Sequence, residues 1–257
     1  MAVWVRFADG EREGFGMLSG ETISVHEGDM FTGAKPTGEQ KSLGAVRLAI
    51  PCHPSKMICL WNNFHALAAK LGVAEPAEPL YLLKAPSAFM GTGEAIRRPP
   101  SYNGKIVYEG ELGIVIGKPC SNASEAQAAD AIFGYTCIND VTAADIISKD
   151  PTFAQWARAK SFDTFGIFGP AIATGLDPAK LNVRTVLNGA ERQNYPLSDM
   201  IFQPAALVSA LSRDMTLLPG DVIACGTSLG VGVMKEAQNV VEVSIEGIGT
   251  LSNTLTQ

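Results

Sequence analysis

The stretch YEGELGIVI, residues 108–116, places two carboxylates directly before a long apolar run. We predict that Glu111–Ile116 is a strand buried on both faces, because its apolar residues do not alternate with polar ones. Residues two apart on a strand point to the same face, so Glu109 and Glu111 are expected to lie about 7 Å apart. Keeping both carboxylates ionised beside apolar residues is unfavourable unless a cation lies between them.

A third carboxylate, Asp140, follows another predicted strand, Phe133–Asn139, and would complete an oxygen cage. Three carboxylates with water are ligands typical of Mg²⁺ or Mn²⁺, whereas zinc prefers histidine and cysteine. The alternative is that Glu109 and Glu111 line a solvated strand edge, since two glutamates at this spacing are common. The spacing alone leaves both interpretations open.

The composition is that of an ordinary globular protein, with 257 residues, 46% of them hydrophobic and 18% charged. This length fits one large domain, or one domain with a small extension. The net charge of −6 disfavours a nucleic-acid or anionic-membrane partner. The five cysteines are widely spaced without a C-x-x-C pair, which indicates reduced thiols. With no signal-peptide pattern and no apolar run near the ~18 residues of a membrane span, we expect a soluble, cytoplasmic protein.

The chain divides into a small β-rich unit at residues 1–50 and a larger domain at residues 51–257. Strands are predicted in the first unit, which a polar loop at residues 33–40 ends. Further strands and four helices follow without regular alternation, which disfavours a doubly wound parallel sheet and favours a mixed α+β, β-rich fold. The predicted helices are Asn63–Leu71, Ser124–Ala131, Phe153–Lys160 (with Asp150-Pro151 as its start) and Pro204–Ser212.

Seven ordered blocks carry a family resemblance. They are EPLYLLKAPSAFMG (78–91), YEGELGIVIGK (108–118), GYTCINDVTAAD (134–145), RAKSFDTFGIFGP (158–170), LNGAERQNYPLSDMIF (187–202), MTLLPGDVIACGTSLGVG (215–232) and IEGIGTLSN (245–253). Together they resemble the fumarylacetoacetate hydrolase family in its shorter bacterial, acylpyruvate-hydrolase-like form. The matching blocks cover most of residues 56–253, and residues 1–50 match poorly.

This resemblance implies a β-sandwich-roll core, a homodimer and a bound divalent cation, here Mg²⁺ or Mn²⁺. It makes Glu109, Glu111 and Asp140 the metal ligands. Lys160 matches the lysine that stabilises negative charge developing on the substrate, and a metal with an ammonium group can together hold an enolate.

The resemblance also implies substrate contacts. Gln193 and Thr227 match positions that hydrogen-bond the substrate carboxylate or keto oxygen. Lys84 is assigned with them, either as a residue that contacts the substrate or as one that holds the residues which do. Each of these residues could equally be a structural polar group.

One segment departs from the family. Hydrolytic members carry a segment resembling N-Y-x-x-H-x-x-E-x-G, whose His and Glu activate water. In the corresponding segment, residues 63–72, Leu67 takes the place of the histidine and Lys70 that of the glutamate. His65 is the candidate catalytic residue here, but it lies two residues early, a rotation of roughly 200° on a helix. Loss of a general base typically lowers the rate about 10²–10⁴-fold.

The implied activity is that of a metal-dependent enzyme acting on a small 2-oxo or 2,4-dioxo acid. C–C bond hydrolysis of an acylpyruvate-type substrate is the first hypothesis. Decarboxylation of a 2-oxo acid, or keto–enol or double-bond isomerisation in aromatic catabolism, needs no water-activating pair and is the alternative. A non-catalytic, metal-binding family member is a third hypothesis.

A serine hydrolase is disfavoured. Residues 226–230 match G-x-S-x-G after a predicted strand, but that architecture requires its histidine after the serine. The histidines at positions 26, 53 and 65 all precede Ser228.

Overall fold

The computed structural model describes residues 1–256, and strands dominate its regular structure. The strands are β1 (Ala2–Asp9), β2 (Arg12–Ser19), β3 (Thr22–Glu27), β4 (Lys35–Ser42), β5 (Arg47–Leu48), β6 (Met57–Trp61), β7 (Leu80–Lys84), β8 (Phe89–Met90), β9 (Ala95–Ile96), β10 (Ile106–Tyr108), β11 (Gly110–Ile116), β12 (Ile132–Asp140), β13 (Thr142–Ala143), β14 (Gly166–Thr174), β15 (Asn182–Leu187), β16 (Ala190–Pro196), β17 (Val222–Ala224), β18 (Gly232–Val233), β19 (Gln238–Ile245) and β20 (Gly249–Thr256). The α-helices are α1 (His65–Leu71), α2 (Glu125–Ala131), α3 (Ala144–Ile147), α4 (Trp156–Lys160) and α5 (Pro204–Asp214). The predicted mixed α+β, strand-dominated class is confirmed.

A large mixed sheet forms the centre of the molecule, in the order β4-β3-β2-β1-β14-β12-β11-β17-β6-β7. Strand β11 lies between β12 and β17 and is antiparallel to both. Every residue of β11 is buried, as expected for a strand covered on both faces. Strand β11, which carries Glu111 and directly follows Glu109, is therefore held deep in the sheet.

A second sheet, in the order β16-β15-β19-β20-β9, covers one face of the large sheet. Leu112 and Ile114 of β11 join Val243 and Leu251 of this second sheet in the main apolar core. On the opposite face of the large sheet, Val115 belongs to a separate apolar cluster. Glu111 lies four residues before Val115 on β11 and therefore shares this second face with it.

The N-terminal unit extends the large sheet. Strands β1 to β4 form an antiparallel meander, and β1 also pairs with β14, with Val3 opposite Ala173. The predicted polar loop at residues 33–40 is wrong, because β4 begins at Lys35 and pairs with β3. β4 is an exposed edge strand with no apolar alternation, so its sequence gives no strand signal. The division at residues 50/51 stays a prediction.

All four predicted helices are present, as α1, α2, α4 and α5, although α4 is shorter than predicted. Ser124 caps α2 through a capping box with Gln127. The predicted start at Asp150 is wrong, since α4 begins only at Trp156. Asp150 instead accepts hydrogen bonds from the backbone N (2.9 Å) and the hydroxyl (2.6 Å) of Thr152, which closes a local turn. No helix within residues 1–256 is long and apolar enough to cross a membrane.

The five cysteines are free and buried. Burial raises the pKa of Cys52 and of Cys137 to about 12. We therefore expect a disulfide reagent such as DTNB to label almost no thiol in the native protein at pH 8, and all five after denaturation. A titration of released thionitrobenzoate with and without 6 M guanidinium measures this. Rapid native labelling at pH 8 would show that the thiols are accessible.

Candidate metal centre

The pairing of β11 with β12 brings the three predicted metal ligands together. The backbone N of Asp140 donates to Glu109 O at 2.8 Å, and Glu111 lies opposite Ile138. Directly opposed residues of an antiparallel pair share a face, so Glu109, Glu111 and Asp140 all point to the same side. One carboxylate oxygen from each lies within 4.8 Å of the others.

The surroundings of these carboxylates favour a cation. Glu111 and Asp140 are fully buried. Oε2 of Glu111 accepts a hydrogen bond from Gly226 N at 2.8 Å, but its Oε1 has no hydrogen-bond partner among the described residues. Burial, followed by the charge of Asp140, raises the pKa of Glu111 well above its usual range. A divalent cation fits this site, because it would both pair the orphaned oxygen and stabilise the ionised carboxylate.

Lys160, the last residue of α4, supplies a positive charge at the cluster. Its Nζ donates to Asp140 Oδ2 (2.6 Å), Glu109 Oε2 (2.8 Å) and the Thr142 hydroxyl (2.8 Å). Burial alone would lower the pKa of Lys160, but Asp140 and Glu109 outweigh it and raise the pKa. Thr142 was not predicted from sequence, although it lies two residues after Asp140 and so shares its face.

Lys84 lies behind Asp140. Its Nζ donates to the backbone carbonyls of Lys160 (2.7 Å) and Phe165 (2.6 Å), and it forms an ion pair with Asp140 Oδ1 at 2.5 Å. Burial alone would raise the pKa of Asp140, but Lys160 and Lys84 together lower it. With its ammonium group fully enclosed, Lys84 is placed to fix the backbone that carries Lys160. Its predicted contact with substrate stays a prediction.

Gln193 and Thr227 meet at Gly110, the residue between the two glutamates. Gln193 Oε1 accepts from Gly110 N at 3.0 Å, and its Nε2 donates to the Thr227 hydroxyl at 2.8 Å. That hydroxyl donates to Gly110 O at 3.0 Å, and Tyr195 OH donates to the same oxygen at 2.6 Å. These side chains clamp the ligand strand from the face that the second sheet covers, opposite the carboxylates. Tyr195 was missed, although it follows Gln193 at the two-residue period of a strand.

Replacing Gly110 with alanine should destabilise the protein and distort the carboxylate cluster. An added Cβ would lie 2.0 Å from Thr185 Oγ1, so the strand or its neighbour has to shift. We expect a loss of about 1–3 kcal/mol in the free energy of unfolding, measured by urea denaturation. Gly33→Ala is the matched control, because no atom of residues 1–256 lies within 4 Å of its added Cβ. Equal stability of the two variants would contradict the close packing at Gly110.

His65 lies in exposed surroundings, unlike the buried carboxylates. It is the first residue of α1, and its Nδ1 is 2.6 Å from Glu75 Oε1, with the two side chains 49% and 52% exposed. Because α1 is helical at this point, Leu67 and His65 point in different directions, as the spacing predicted. Glu75 was not singled out from sequence, since it lies in the linker after α1.

Similarity to known proteins covers nearly the whole chain. Residues 56–256 match the family model described as fumarylacetoacetate (FAA) hydrolase C-terminal, and residues 4–51 match one described as Rv2993c-like, N-terminal. Oxaloacetate tautomerase YisK of Bacillus subtilis strain 168 is 35% identical over 257 residues, covering 93% of this chain and 84% of the relative.

Two solved structures are similar over their full length. The 2-hydroxyhepta-2,4-diene-1,7-dioate isomerase from Mycobacterium marinum is 39% identical with a TM-score of 0.90, covering 100% of this chain and 98% of that one. The fumarylacetoacetate hydrolase of Exiguobacterium antarcticum is 31% identical with a TM-score of 0.84, covering 100% and 99%.

Proposed function

The chain belongs to the fumarylacetoacetate hydrolase family, and from this premise we propose that it is an Mg²⁺- or Mn²⁺-dependent enzyme that interconverts the keto and enol forms of a small 2-oxo acid. The observation that carries the proposal is the position of the Lys160 ammonium group, 2.6 Å from Asp140 and 2.8 Å from Glu109 in a buried carboxylate cluster. Relatives named as a tautomerase and an isomerase support this reaction type.

Tautomerisation of a 2-oxo acid passes through an enolate, whose negative charge rests largely on the oxygen at C2. A divalent cation held by Glu109, Glu111 and Asp140 would supply a Lewis acid that polarises the 2-oxo group. Lys160 is fixed at the cluster, where its three N–H groups donate to Asp140, Glu109 and Thr142. With a cation bound to the same carboxylates, one of these N–H groups would turn to the developing oxyanion. One such preorganised donor is typically worth about 10²–10³ in rate.

The segment at residues 63–72 favours this chemistry over hydrolysis, which was the first hypothesis from the sequence. Tautomerisation consumes no water and needs no water-activating pair. The motif positions for that pair hold Leu67 and Lys70, and α1 is a regular helix there. C–C bond hydrolysis remains the second candidate, supported by the His65–Glu75 pair and by the hydrolase among the similar structures.

An enol-decay assay tests the proposal. Purified protein is treated with EDTA, reloaded with Mg²⁺ or Mn²⁺, and given oxaloacetate enol or acetylpyruvate while absorbance and NMR product spectra are followed. We expect metal-dependent acceleration of enol decay without pyruvate release from oxaloacetate and without acetate release from acetylpyruvate. Acetate with pyruvate would identify a hydrolase, and CO₂ with pyruvate a decarboxylase. Enol decay at the uncatalysed rate would overturn the proposal.

We also propose the homodimer that the family resemblance implies. Sedimentation equilibrium of the purified chain tests it, and a monomer at micromolar concentration would contradict it.

A further inference from the structure

We propose that an apolar cleft beside the carboxylate cluster binds the substituent of the 2-oxo acid, so that the preferred substrate carries an aromatic or medium-length alkyl group. This inference rests on the proposed action on 2-oxo acids and adds the substrate class. The cleft has a volume of about 470 Å³. It is lined by Trp61, Pro79, Leu80, Tyr81, Leu82 and Trp156.

The chemistry of the lining selects the ligand. None of the six lining residues is ionisable near neutral pH, so a charged substituent would lose its hydration there without gaining a counter-ion. The rings of Trp61 and Trp156 lie 5.8 Å apart at 49° and form one wall. Aromatic walls bury large areas and favour flat or extended apolar groups.

Strand β7 connects the cleft to the carboxylate cluster. Leu80, Leu82 and Lys84 are two residues apart along this strand and therefore lie on the same face of it. Lys84 forms the ion pair with Asp140. At about 3.3 Å per residue, Leu82 lies about 7 Å and Leu80 about 13 Å along the strand from Lys84. This distance suits a phenyl group or a short alkyl chain attached to a 2-oxo acid held at the cluster.

Helix α4 makes a second connection between the cleft and the carboxylate cluster. Trp156 and Lys160 are four residues apart on this helix, and therefore lie on one side of it, about 6 Å apart along the axis. Lys160 contacts Glu109 and Asp140, while Trp156 lines the cleft. Two separate elements thus run from the cluster to the same apolar surface.

The exposure of β7 is unusual for an edge strand. β7 ends the large sheet, yet Leu80 and Tyr81 are 39% and 37% exposed. Edge strands are usually protected by charged residues or proline, as at the other end of the sheet, where β4 reads KPTGEQKS. Apolar side chains left accessible in a concave surface next to buried carboxylates indicate a ligand-binding role.

A substrate series tests the cleft. For acylpyruvates from acetylpyruvate to hexanoylpyruvate, we expect kcat/KM of the metal-loaded enzyme to rise about fourfold for each methylene. Trp156→Ala and Trp61→Ala should flatten this dependence, so that the ratio of kcat/KM for hexanoylpyruvate to kcat/KM for acetylpyruvate falls to near one. Trp4→Phe is the matched control, because Trp4 packs against Phe15 and His26 on the N-terminal strands. It should keep the full dependence.

Binding gives a readout that does not require turnover. Trp61 and Trp156 are two of the three tryptophans, so the Trp4→Phe protein reports on the cleft by fluorescence. With Mg²⁺ present, we expect phenylpyruvate to quench this fluorescence and to bind at least tenfold more tightly than pyruvate. That ratio should fall to near one in the Trp4→Phe/Trp156→Ala protein.

The outcomes separate this inference from the proposed function. Suppose that turnover is independent of chain length and that pyruvate and phenylpyruvate bind equally well. The proposed role of the cleft is then wrong, while the proposed function stands. Tight phenylpyruvate binding that needs Trp156, without any turnover, supports the cleft and overturns the function. A higher kcat/KM for a dicarboxylic 2-oxo acid than for every 2-oxo acid with an apolar substituent would also contradict the proposed role of the cleft.

Discussion

The Glu111→Gln protein should lose more than about 10³-fold in kcat/KM while folding as well as the wild type. This glutamine keeps the shape of the side chain but removes one of three charges that would hold the cation. Because burial raises the pKa of Glu111 well above its usual range, its ionised form is unfavourable without metal. We therefore expect the metal-free variant to melt at the same temperature as the metal-free wild type, or higher.

Thermal unfolding with and without metal tests the cause of that loss. For the wild type, a cation concentration of about 100 times Kd increases the free energy of unfolding by about 2.7 kcal/mol, which raises Tm by roughly 5–10 °C. The Glu111→Gln protein should show little of this increase, whereas Glu21→Gln, at an exposed turn, should show all of it. If metal raised the Tm of the Glu111→Gln protein as much as that of the wild type, Glu111 would not be a metal ligand.

The Lys160→Met protein is expected to lose both activity and stability, and metal should restore only the stability. Removing the ammonium group leaves Glu109 without its cationic partner and Asp140 with Lys84 alone, and breaking a buried ion pair typically costs about 3–5 kcal/mol. A bound cation supplies positive charge to the same carboxylates and should recover part of that loss. Activity should stay at least about 10²-fold down, because the donor to the developing oxyanion is missing.

Two measurements separate these effects. Urea denaturation with EDTA and with Mg²⁺ gives the stability, and the enol-decay assay with saturating Mg²⁺ gives the rate. Lys118→Met is the control, since Lys118 pairs with Asp130 at the surface, where an ion pair contributes about 0–1 kcal/mol. If Mg²⁺ restored the Lys160→Met rate to that of the wild type, Lys160 would be a structural residue only.

The large features of this fold could be read from local sequence patterns. An unbroken apolar run predicts strand β11, and Ser124 with Gln127 three residues later predicts the start of α2. Strand β4 could not be found in this way. Its residues are polar and exposed, and only pairing with β3 makes them a strand.

The carboxylate cluster could be predicted in part. Glu109 and Glu111 stand out by their spacing, and Asp140 by following a strand, although only the register between β11 and β12 shows that they share a face. The clamp on Gly110 could not be predicted, because Gln193 and Tyr195 lie on a strand of the other sheet. Contacts between sheets depend on the folded topology and leave no local pattern in the sequence.

The pairing of β1 with β14 has a consequence for how proteins of this kind diversify. The strand edge at Ile172–Thr174 is covered by residues 2–4 of the N-terminal unit. A lineage that simply lost this unit would expose backbone groups ready to pair with another chain. A replacement of this unit must therefore bring a strand of its own for that edge. The strands that carry Asp140 and Glu111, β12 and β11, lie one and two places further in than β14 and would stay unchanged.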